Sequence, residues 1–221
     1  MALRDTPRDY LTQEDAQMLA LDHLAVAAET LDAGRAHVEA VLGVALQPGG
    51  QHAHFGTHNL LLGLEDGLYL EVIAVDPAAA PPAAPRWFDL DRFVGAPRLG
   101  TWICRCDDLE AALAQAPNGA GRPVDLARGD LRWRMAVAAD GRMPFDGAFP
   151  ALIQWQGAHP AARLMRSGCR LRRLIVAHPE AAALRKALAG MLNDPTVVIE
   201  DGPGMALRAE IETPHGLRVL E

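Results

Sequence analysis

The chain has 221 residues, of which half are apolar and 22% are charged, a composition typical of a soluble globular protein. Its net charge of −7 comes from 28 acidic and 21 basic residues, and no segment is a run of basic residues. We therefore expect neither nucleic acid nor an anionic membrane surface as a partner.

The N-terminal segment is charged and lacks the apolar core of a signal peptide. Three cysteines, Cys104, Cys106 and Cys169, are too few and odd in number for a disulfide framework. We therefore expect a cytoplasmic protein with reduced thiols.

The first predicted elements are a helix, a strand and a second helix. Residues 12–20 are expected to form a short helix with Thr12 as its N-cap. Alternation over 21–27 predicts a strand, and 30–43 read as an amphipathic helix that ends at Gly43. On the predicted strand, one face carries Leu21, His23 and Ala25, and the other carries Asp22, Leu24 and Val26.

Three strands are expected in the next part of the chain, residues 44–76. Glycine-containing segments at 48–50 and 65–67 are the expected breaks between them. The first unit therefore has the order β-α-β-β-β.

The same pattern then begins again. Aligning Leu31 with Leu109 superposes the two patterns, which indicates an internal repeat. The predicted segments are an N-terminal extension (1–20), a first βαβββ module (21–76), a Pro/Ala-rich connector with a short helix (77–98), a second βαβββ module (99–160) and a partial βαββ module (168–221).

One residue is unexpected in the apolar strand GLYLEVIAV, namely Glu71. A buried carboxylate is costly unless it is paired, protonated or bound to a metal. Glu71 is therefore either a salt-bridge partner on a wet face, or a ligand or base.

The motifs LDHLAVA, GGQHAHFGTHNLLLGL, YLEVIAVDP, TWICRCDDLEAA, LRWRMAV and LIQWQGAHPA occur in this order. In them the chain resembles the vicinal oxygen chelate superfamily (glyoxalase, bleomycin-resistance proteins and extradiol dioxygenases), and more narrowly its glyoxalase-like domain branch. The resemblance implies an α+β fold in which paired βαβββ modules form a cup-shaped half-barrel. It also implies a site inside the cup, where the first and last strands of each module supply the metal ligands in members that bind metal.

Carried over to this chain, the resemblance makes His23 and Glu71 the first module's ligands or catalytic pair. The matching positions of the second module are Thr101 and Gln154, which are neutral. A divalent ion (zinc, nickel, manganese or iron) would thus have a weak site, and we expect none to be bound. An extradiol dioxygenase is not expected, because it uses two histidines and one carboxylate for iron.

Other polar residues are candidates for binding a substrate. His52 and Asn59 match the family pattern and either line the pocket or shape a loop. Arg105 and Arg134 could clamp an anionic substrate, although pairing with Asp107 or Asp108 explains them equally. The remaining candidates are assigned structural roles: Cys104 and Cys106 as buried thiols beside Trp102, and His159 and His178 as strand ends before proline.

Two functions of the cup are compatible with these residues, besides a third possibility in which the pocket is vestigial and the chain acts through protein partners. One is a lyase or isomerase that stabilises an enolate-like oxyanion of a small oxygenated molecule, with Glu71 moving a proton and His23 orienting the substrate. The other is a non-catalytic protein that sequesters a small molecule, as the neutral Thr101 and Gln154 favour. A homodimer is compatible with either, since dimers are frequent in the superfamily.

Overall fold

The computed structural model describes residues 18–221, so the helix predicted at 12–20 lies largely outside the described residues. Three units follow one another along the chain. The first comprises β1 (Ala20–Ala27), α1 (Leu31–Leu42), β2 (Gln47–His52), β3 (Thr57–Leu64) and β4 (Tyr69–Val75). The second comprises β5 (Arg98–Arg105), α2 (Leu109–Gln115), β6 (Arg122–Arg128), β7 (Leu131–Val137) and β8 (Ala151–Trp155).

The third unit comprises β9 (Arg166–His178), α3 (Ala181–Leu188), β10 (Val197–Asp201), β11 (Ala206–Thr213) and β12 (Gly216–Leu220). It has one strand more than the predicted βαββ order, because a turn at 214–215 divides the last apolar segment into two antiparallel strands. It is also connected differently, since β9 lies between β10 and β11.

Capping residues set the ends of the first two helices. Thr30 caps α1 by accepting a hydrogen bond from the Ala33 amide, and Gly43 ends it in a left-handed conformation. Asp108 caps α2 in the same way as Thr30 caps α1. Leu31 and Leu109 are both the first residues of their helices, so the predicted alignment of the repeats is correct.

The described strands form one open sheet of twelve. Ten of them follow the path β12-β11-β9-β3-β4-β1-β5-β8-β7-β6, while β10 pairs with β9 and β2 with β3 beside it. Within each of the first two units, the first strand is parallel to the last: β1 to β4 and β5 to β8. Strands β1 and β5 are antiparallel neighbours and join the two units. The predicted α+β fold with paired βαβββ modules is thus confirmed.

Each face of the sheet has its own apolar cluster. The helix side is filled by Leu24, Val26, Leu70, Val72 and Trp102, among others. The opposite side carries a second cluster to which both modules contribute, and this side is the inside of the cup. The members from the strands of the first two modules are Ala25, Ala27, Ile73, Ile103, Leu126, Trp133, Met135, Val137, Ala151 and Ile153.

The first break between strands differs from the prediction. The Pro48–Gly50 segment does not end a strand, because β2 continues through it with an irregular register against β3. The chain turns instead at residues 53–56. The second predicted turn, at Glu65–Gly67, is confirmed.

A bulge in β1 changes the expected facing of two residues. The register between β1 and β5 shifts between Leu21 and His23. As a result Leu21 packs in the helix-side core, whereas Asp22 turns its carboxylate toward residues of the cup. His23 and Ala25 face the cup as predicted.

Among residues 18–221, no helix is both long and apolar enough to cross a membrane. The expected cytoplasmic location stays a prediction, as does the homodimer.

Candidate functional site

A small cavity opens inside the cup, lined by both modules and by the connector. Its volume is about 40 Å³, room for only a few water molecules. The polar side chains of the cavity come from the first module and β6, and most of its walls are aromatic or aliphatic. The lining polar residues are His23, His52, Asn59, Tyr69, Glu71 and Arg128, and the lining aromatic residues include Trp87, Phe88, Trp133 and Trp155.

The centre of the polar wall is a chain of three ionisable side chains, Asp22, His23 and Glu71. His23 Nδ1 lies 2.6 Å from the Asp22 carboxylate, and His23 Nε2 lies 3.6 Å from Glu71 Oε2. The parallel register of β1 and β4 brings them together, because it pairs His23 with Tyr69 and Ala25 with Glu71. The imidazole also stacks on the Tyr69 ring, with centroids 4.3 Å apart.

Asp22 is fully buried and has several partners, among them Arg105 at 3.9 Å. Besides His23, its carboxylate accepts hydrogen bonds from Trp155 Nε1 at 3.0 Å and from His159 Nε2 at 2.8 Å. Trp155 and His159 belong to the second module and its C-terminal turn, so Asp22 links the two halves of the cup. Such an arrangement fixes the orientation of His23, as the aspartate of a catalytic triad does for its histidine.

Burial by itself opposes every charge in this cluster, but the mutual hydrogen bonds outweigh it. Hydrogen bonds to Asp22 and Glu71 raise the pKa of His23 to about 9, in spite of burial. His23, His52 and Asn59 lower the pKa of Glu71 to about 2, again against burial. At neutral pH the cavity therefore holds an imidazolium between two carboxylates.

Two neighbours of this cluster are neutral at pH 7. Burial lowers the pKa of His52 to about 4. Burial and the negative charges of Asp22 and Glu71 raise the pKa of Tyr69 well above its ordinary value. The Tyr69 hydroxyl therefore stays protonated and can donate a hydrogen bond.

Asn59 connects Glu71 to the opposite side of the cavity. Its amide donates to Glu71 Oε1 at 2.5 Å, while its oxygen accepts from the Gly50 amide at 2.7 Å and from Arg128 at 3.2 Å. Arg128 also donates to His52 Nε2 at 3.1 Å, which leaves the His52 Nδ1 proton for Thr57 Oγ1. The Asn59 amide is thus held in a single orientation, with its NH₂ group toward Glu71.

The glycines of β2 make this packing possible. A Cβ on Gly49 would lie 2.0 Å from the Asn59 side-chain oxygen and 2.8 Å from the Asn59 backbone oxygen. A Cβ on Gly50 would lie 2.8 Å from Arg128 Cδ. Asn59 and Arg128 can therefore approach β2 only because residues 49 and 50 have no side chain.

The donor set of the cup does not fit a divalent metal ion as arranged. Both ring nitrogens of His23 face carboxylates, and a protonated imidazole has no lone pair for a metal. Within residues 18–221, no three histidine, cysteine or carboxylate side chains are arranged to hold a metal ion. The expectation that His23 and Glu71 bind no metal ion stays a prediction.

In the second module, the position that matches Glu71 is apolar. Ala25 of β1 pairs with Glu71. Ile103 occupies the same position in β5 as Ala25 in β1, and it pairs with Ala151. Ala151, rather than the predicted Gln154, therefore corresponds to Glu71. The alternation of β8 directs Ile153 into the cup and Gln154 out of it, where Gln154 bonds to Arg134 and to the Asp107 carbonyl.

The remaining predicted residues lie away from the small cavity. Thr101 is buried but lines a separate cavity of about 650 Å³, which shares Phe88 with the first. Arg134 forms a bidentate pair with Glu110 on the outer face. Arg105 donates to the Leu21 carbonyl at 2.8 Å. Pairing of these arginines with Asp107 or Asp108 is not found, although each has a structural partner.

Several residues of the site were not predicted. Asp22 was assigned to the helix side and His159 to a strand end, because the bulge in β1 and the turn after β8 leave no periodic signal. Arg128 lies at the end of a β-hairpin strand, and only the sheet's curvature brings it to His52. Cys104 and Cys106 are buried on the helix side with Trp102, as predicted.

The chain is similar to several solved structures, of which the first below, with a TM-score above 0.5, supports the fold. A hypothetical protein from Staphylococcus aureus has a TM-score of 0.56 and 15% identity, with 85% of this chain and 88% of that chain covered. Methylmalonyl-CoA epimerase from Mycobacterium tuberculosis has a TM-score of 0.42 and 19% identity, covering 67% and 95%. A hypothetical protein from Bacillus halodurans has a TM-score of 0.41 and 14% identity, covering 63% and 95%.

A search of curated proteins found no match. A family model, described as the glyoxalase-like domain, matches residues 21–192, which include the first two modules and part of the third. The chain therefore belongs to the glyoxalase-like domain family, within the vicinal oxygen chelate superfamily.

Proposed function

We propose that the protein is an enolising enzyme, a lyase or isomerase, in which Glu71 is the base and His23 the electrophile. One observation carries the proposal: the carboxyl group of Glu71 and the imidazole of His23 lie side by side in a buried cavity, with Glu71 Oε2 and His23 Nε2 3.6 Å apart. The lowered pKa of Glu71 and the raised pKa of His23 favour a carboxylate and an imidazolium there. This spacing suits the two adjacent atoms of a carbonyl compound at which proton transfer and charge development take place.

In the proposed step, the C–H bond next to a substrate carbonyl breaks and Glu71 takes the proton. The electron pair of that bond forms the C=C bond of an enolate, and the carbonyl electron pair moves to its oxygen. The His23 imidazolium stabilises the oxygen by donating from Nε2. Return of the proton to another face or atom gives an isomerase, and expulsion of a leaving group gives a lyase.

Asp22 is the positioning residue of this site. Its hydrogen bond to His23 Nδ1 directs the other ring nitrogen toward the cavity, and its bonds to Trp155 and His159 hold the carboxylate in place. Trp87, which also lines the cavity, has a buried Nε1 without a hydrogen-bond partner among the described residues. Buried donors of this kind stabilise a developing oxyanion better than water does.

The low pKa of Glu71 restricts the substrate. A carboxylate with a pKa of about 2 is ionised at neutral pH but is a weak base. The carbon acid must therefore be acidified by its own substituents and by the imidazolium, as in a compound whose C–H bond is next to an activated carbonyl.

Non-catalytic binding of a small molecule is the alternative, and the aromatic walls favour it. Trp87 stacks on Phe88 and on Phe55, while Trp133 and Trp155 face the cavity from the second module. Such surfaces bind planar organic molecules without the need for a base.

Hydrogen–deuterium exchange separates the two functions. Pyruvate and acetoacetate, incubated with the protein in D₂O, would be followed by the loss of their C–H signals in ¹H NMR spectra. We expect the wild type to accelerate exchange and Glu71→Gln to reduce the rate by about 10²–10⁴-fold, the usual contribution of a general base. Glu110→Gln on the outer face is the matched control and should exchange at the wild-type rate, because Glu110 is exposed and bonds only to Arg134 among side chains of the described residues.

Exchange that is equal in the wild type and Glu71→Gln, or absent from the wild type with both compounds, would contradict the enolising function. Binding of the same compounds without exchange would then make sequestration the function of the cup.

A further inference from the structure

Arg128 is the cation of the cavity that has no anionic partner. It is half-buried, it lines the cavity, and no carboxylate among residues 18–221 lies within ion-pair distance of it. Its guanidinium donates instead to two neutral acceptors, His52 Nε2 and the Asn59 oxygen. An arginine–carboxylate pair adds the attraction of opposite charges and a bidentate geometry to what neutral acceptors offer, so an entering anion would be the preferred partner.

The position of Arg128 relates it to the proposed base. The same Asn59 amide group contacts Arg128 through its oxygen and Glu71 through its nitrogen. A molecule that offers a carbon to Glu71 and an anionic group to Arg128 therefore needs only a few bonds between them. The cavity volume of about 40 Å³ likewise limits the bound molecule to a small one.

We propose that Arg128 binds a carboxylate of the substrate, and that the substrates of this site are small acids in which the carboxylate is next to the enolised carbonyl. The role of the carbonyl rests on the proposed function, whereas the carboxylate contact is argued from Arg128 alone. Arg128 would leave its two neutral acceptors and form a bidentate pair with the substrate. Asn59 would keep its bond from the Gly50 amide, so Glu71 would remain in place.

A phosphate is a poorer candidate than a carboxylate. Asp22 and Glu71 are two carboxylates within the same small site, and a dianion would be repelled more strongly than a monoanion. Arg128 is also the only arginine or lysine among the described residues that lines this cavity, whereas phosphate sites usually combine several donors.

Titration with pyruvate and pyruvamide tests the carboxylate contact without any turnover. The two molecules have nearly the same shape, but pyruvamide has no charge. We expect the wild type to bind pyruvate at least about tenfold more tightly than pyruvamide, a difference that isothermal titration calorimetry or ligand-observed NMR would measure. Arg128→Gln should bind the two equally.

Arg132→Gln is the matched control, because Arg132 lies on the same hairpin, is exposed and donates only to the backbone carbonyls of Gly129 and Leu131. It should keep the preference for pyruvate. Arg128→Lys retains the charge without the bidentate geometry, and it should keep part of the preference even if Arg128→Gln folds poorly.

Equal affinity of the wild type for the two molecules, binding of neither, or a preference that survives in a folded Arg128→Gln variant would overturn the assignment. An Arg128-dependent preference without hydrogen–deuterium exchange would support the carboxylate contact while contradicting the enolising function, so the two proposals fail separately.

Discussion

The two halves of the cup have the same element order and opposite linings. On the strands that carry the site in the first module, His23, Tyr69 and Glu71 face the cavity. The corresponding strands of the second module present Ile103, Ala151 and Ile153. The first copy of the repeat thus provides His23 and Glu71, whereas the second provides mainly apolar walls, the cation Arg128 and the anchors Trp155 and His159.

This difference shows why a repeated fold need not give a symmetric site. The backbone pairing of the first and last strands is conserved between the two modules, since β1 is parallel to β4 and β5 is parallel to β8. Backbone pairing fixes only the places from which side chains enter the cup. Whether those side chains are charged or apolar is free to vary, provided that buried charges find partners.

Breaking the link that Asp22 makes between the two halves of the cup should have the largest effect. Asp22→Asn keeps the shape of the side chain but removes the charge that His23 and His159 face. We expect it to lower the free energy of unfolding by about 3–5 kcal/mol, the cost of leaving a buried ion pair without one partner. Urea unfolding would measure the change.

Asp125→Asn is the control for this loss of charge. Asp125 is 86% exposed and pairs with Arg134 on the surface, so its replacement should change stability by less than about 1 kcal/mol. A similar small effect for Asp22→Asn would contradict the view that Asp22 holds the two halves together.

The dependence of the free energy of unfolding on pH should also reflect the charged groups of the first module. The pKa of His23 is about 9 in the folded protein against 6.5 for an ordinary histidine, so its contribution is complete below pH 6.5 and is lost as the pH rises through 9. The pKa of Glu71 is about 2 against an ordinary value of 4.5, so its contribution is complete above pH 4.5 and is lost as the pH falls toward 2.

Together, His23 and Glu71 contribute most to the free energy of unfolding between pH 4.5 and 6.5. His52, whose pKa of about 4 lies below the ordinary 6.5, opposes this contribution as the pH falls below 6.5. The loss due to His23 should therefore appear between pH 7.5 and 9.5, where urea unfolding would show a decline in the wild type that is smaller in His23→Gln. Parallel declines in the two proteins would mean that His23 is not the group that titrates.

A smaller difference is expected between two adjacent glycines of β2. Gly49→Ala would bring its Cβ against the backbone oxygen of Asn59, which cannot move away alone, and we expect a loss of about 1–3 kcal/mol. Gly50→Ala meets only the flexible Arg128 side chain and should cost less. Thermal unfolding of the two variants would measure this difference, and equal losses would show that Asn59 is not held as described.

The sequence predicts the fold well because its signals are local and periodic. The helices start at Thr30 and Asp108, the turn at Glu65–Gly67 is specified by its glycine, and the parity of His23 and Glu71 follows from strand alternation. The pair His23 and Glu71 was named from the family resemblance, with which this parity agrees, and its role as a site stays a proposal.

The rest of the site depends on features without periodicity. A single bulge in β1 reverses the faces of Leu21 and Asp22, and the irregular register at Gly49–Gly50 allows β2 to approach Asn59. Gln154 was placed one position away from the inward-facing Ile153, where strand alternation reverses the side-chain direction. Arg128 is distant in sequence from every residue it contacts in the cavity.

The proposed reaction depends above all on the charge state of His23, and ¹⁵N NMR of the imidazole measures this charge state directly. Titration of the wild-type protein, with the His23 signal assigned by comparison with His23→Gln, should show both ring nitrogens protonated at pH 7 and a midpoint near pH 9. A neutral His23 at pH 7, with one unprotonated ring nitrogen, would contradict the imidazolium–carboxylate pair and with it the electrophile that the proposed reaction needs.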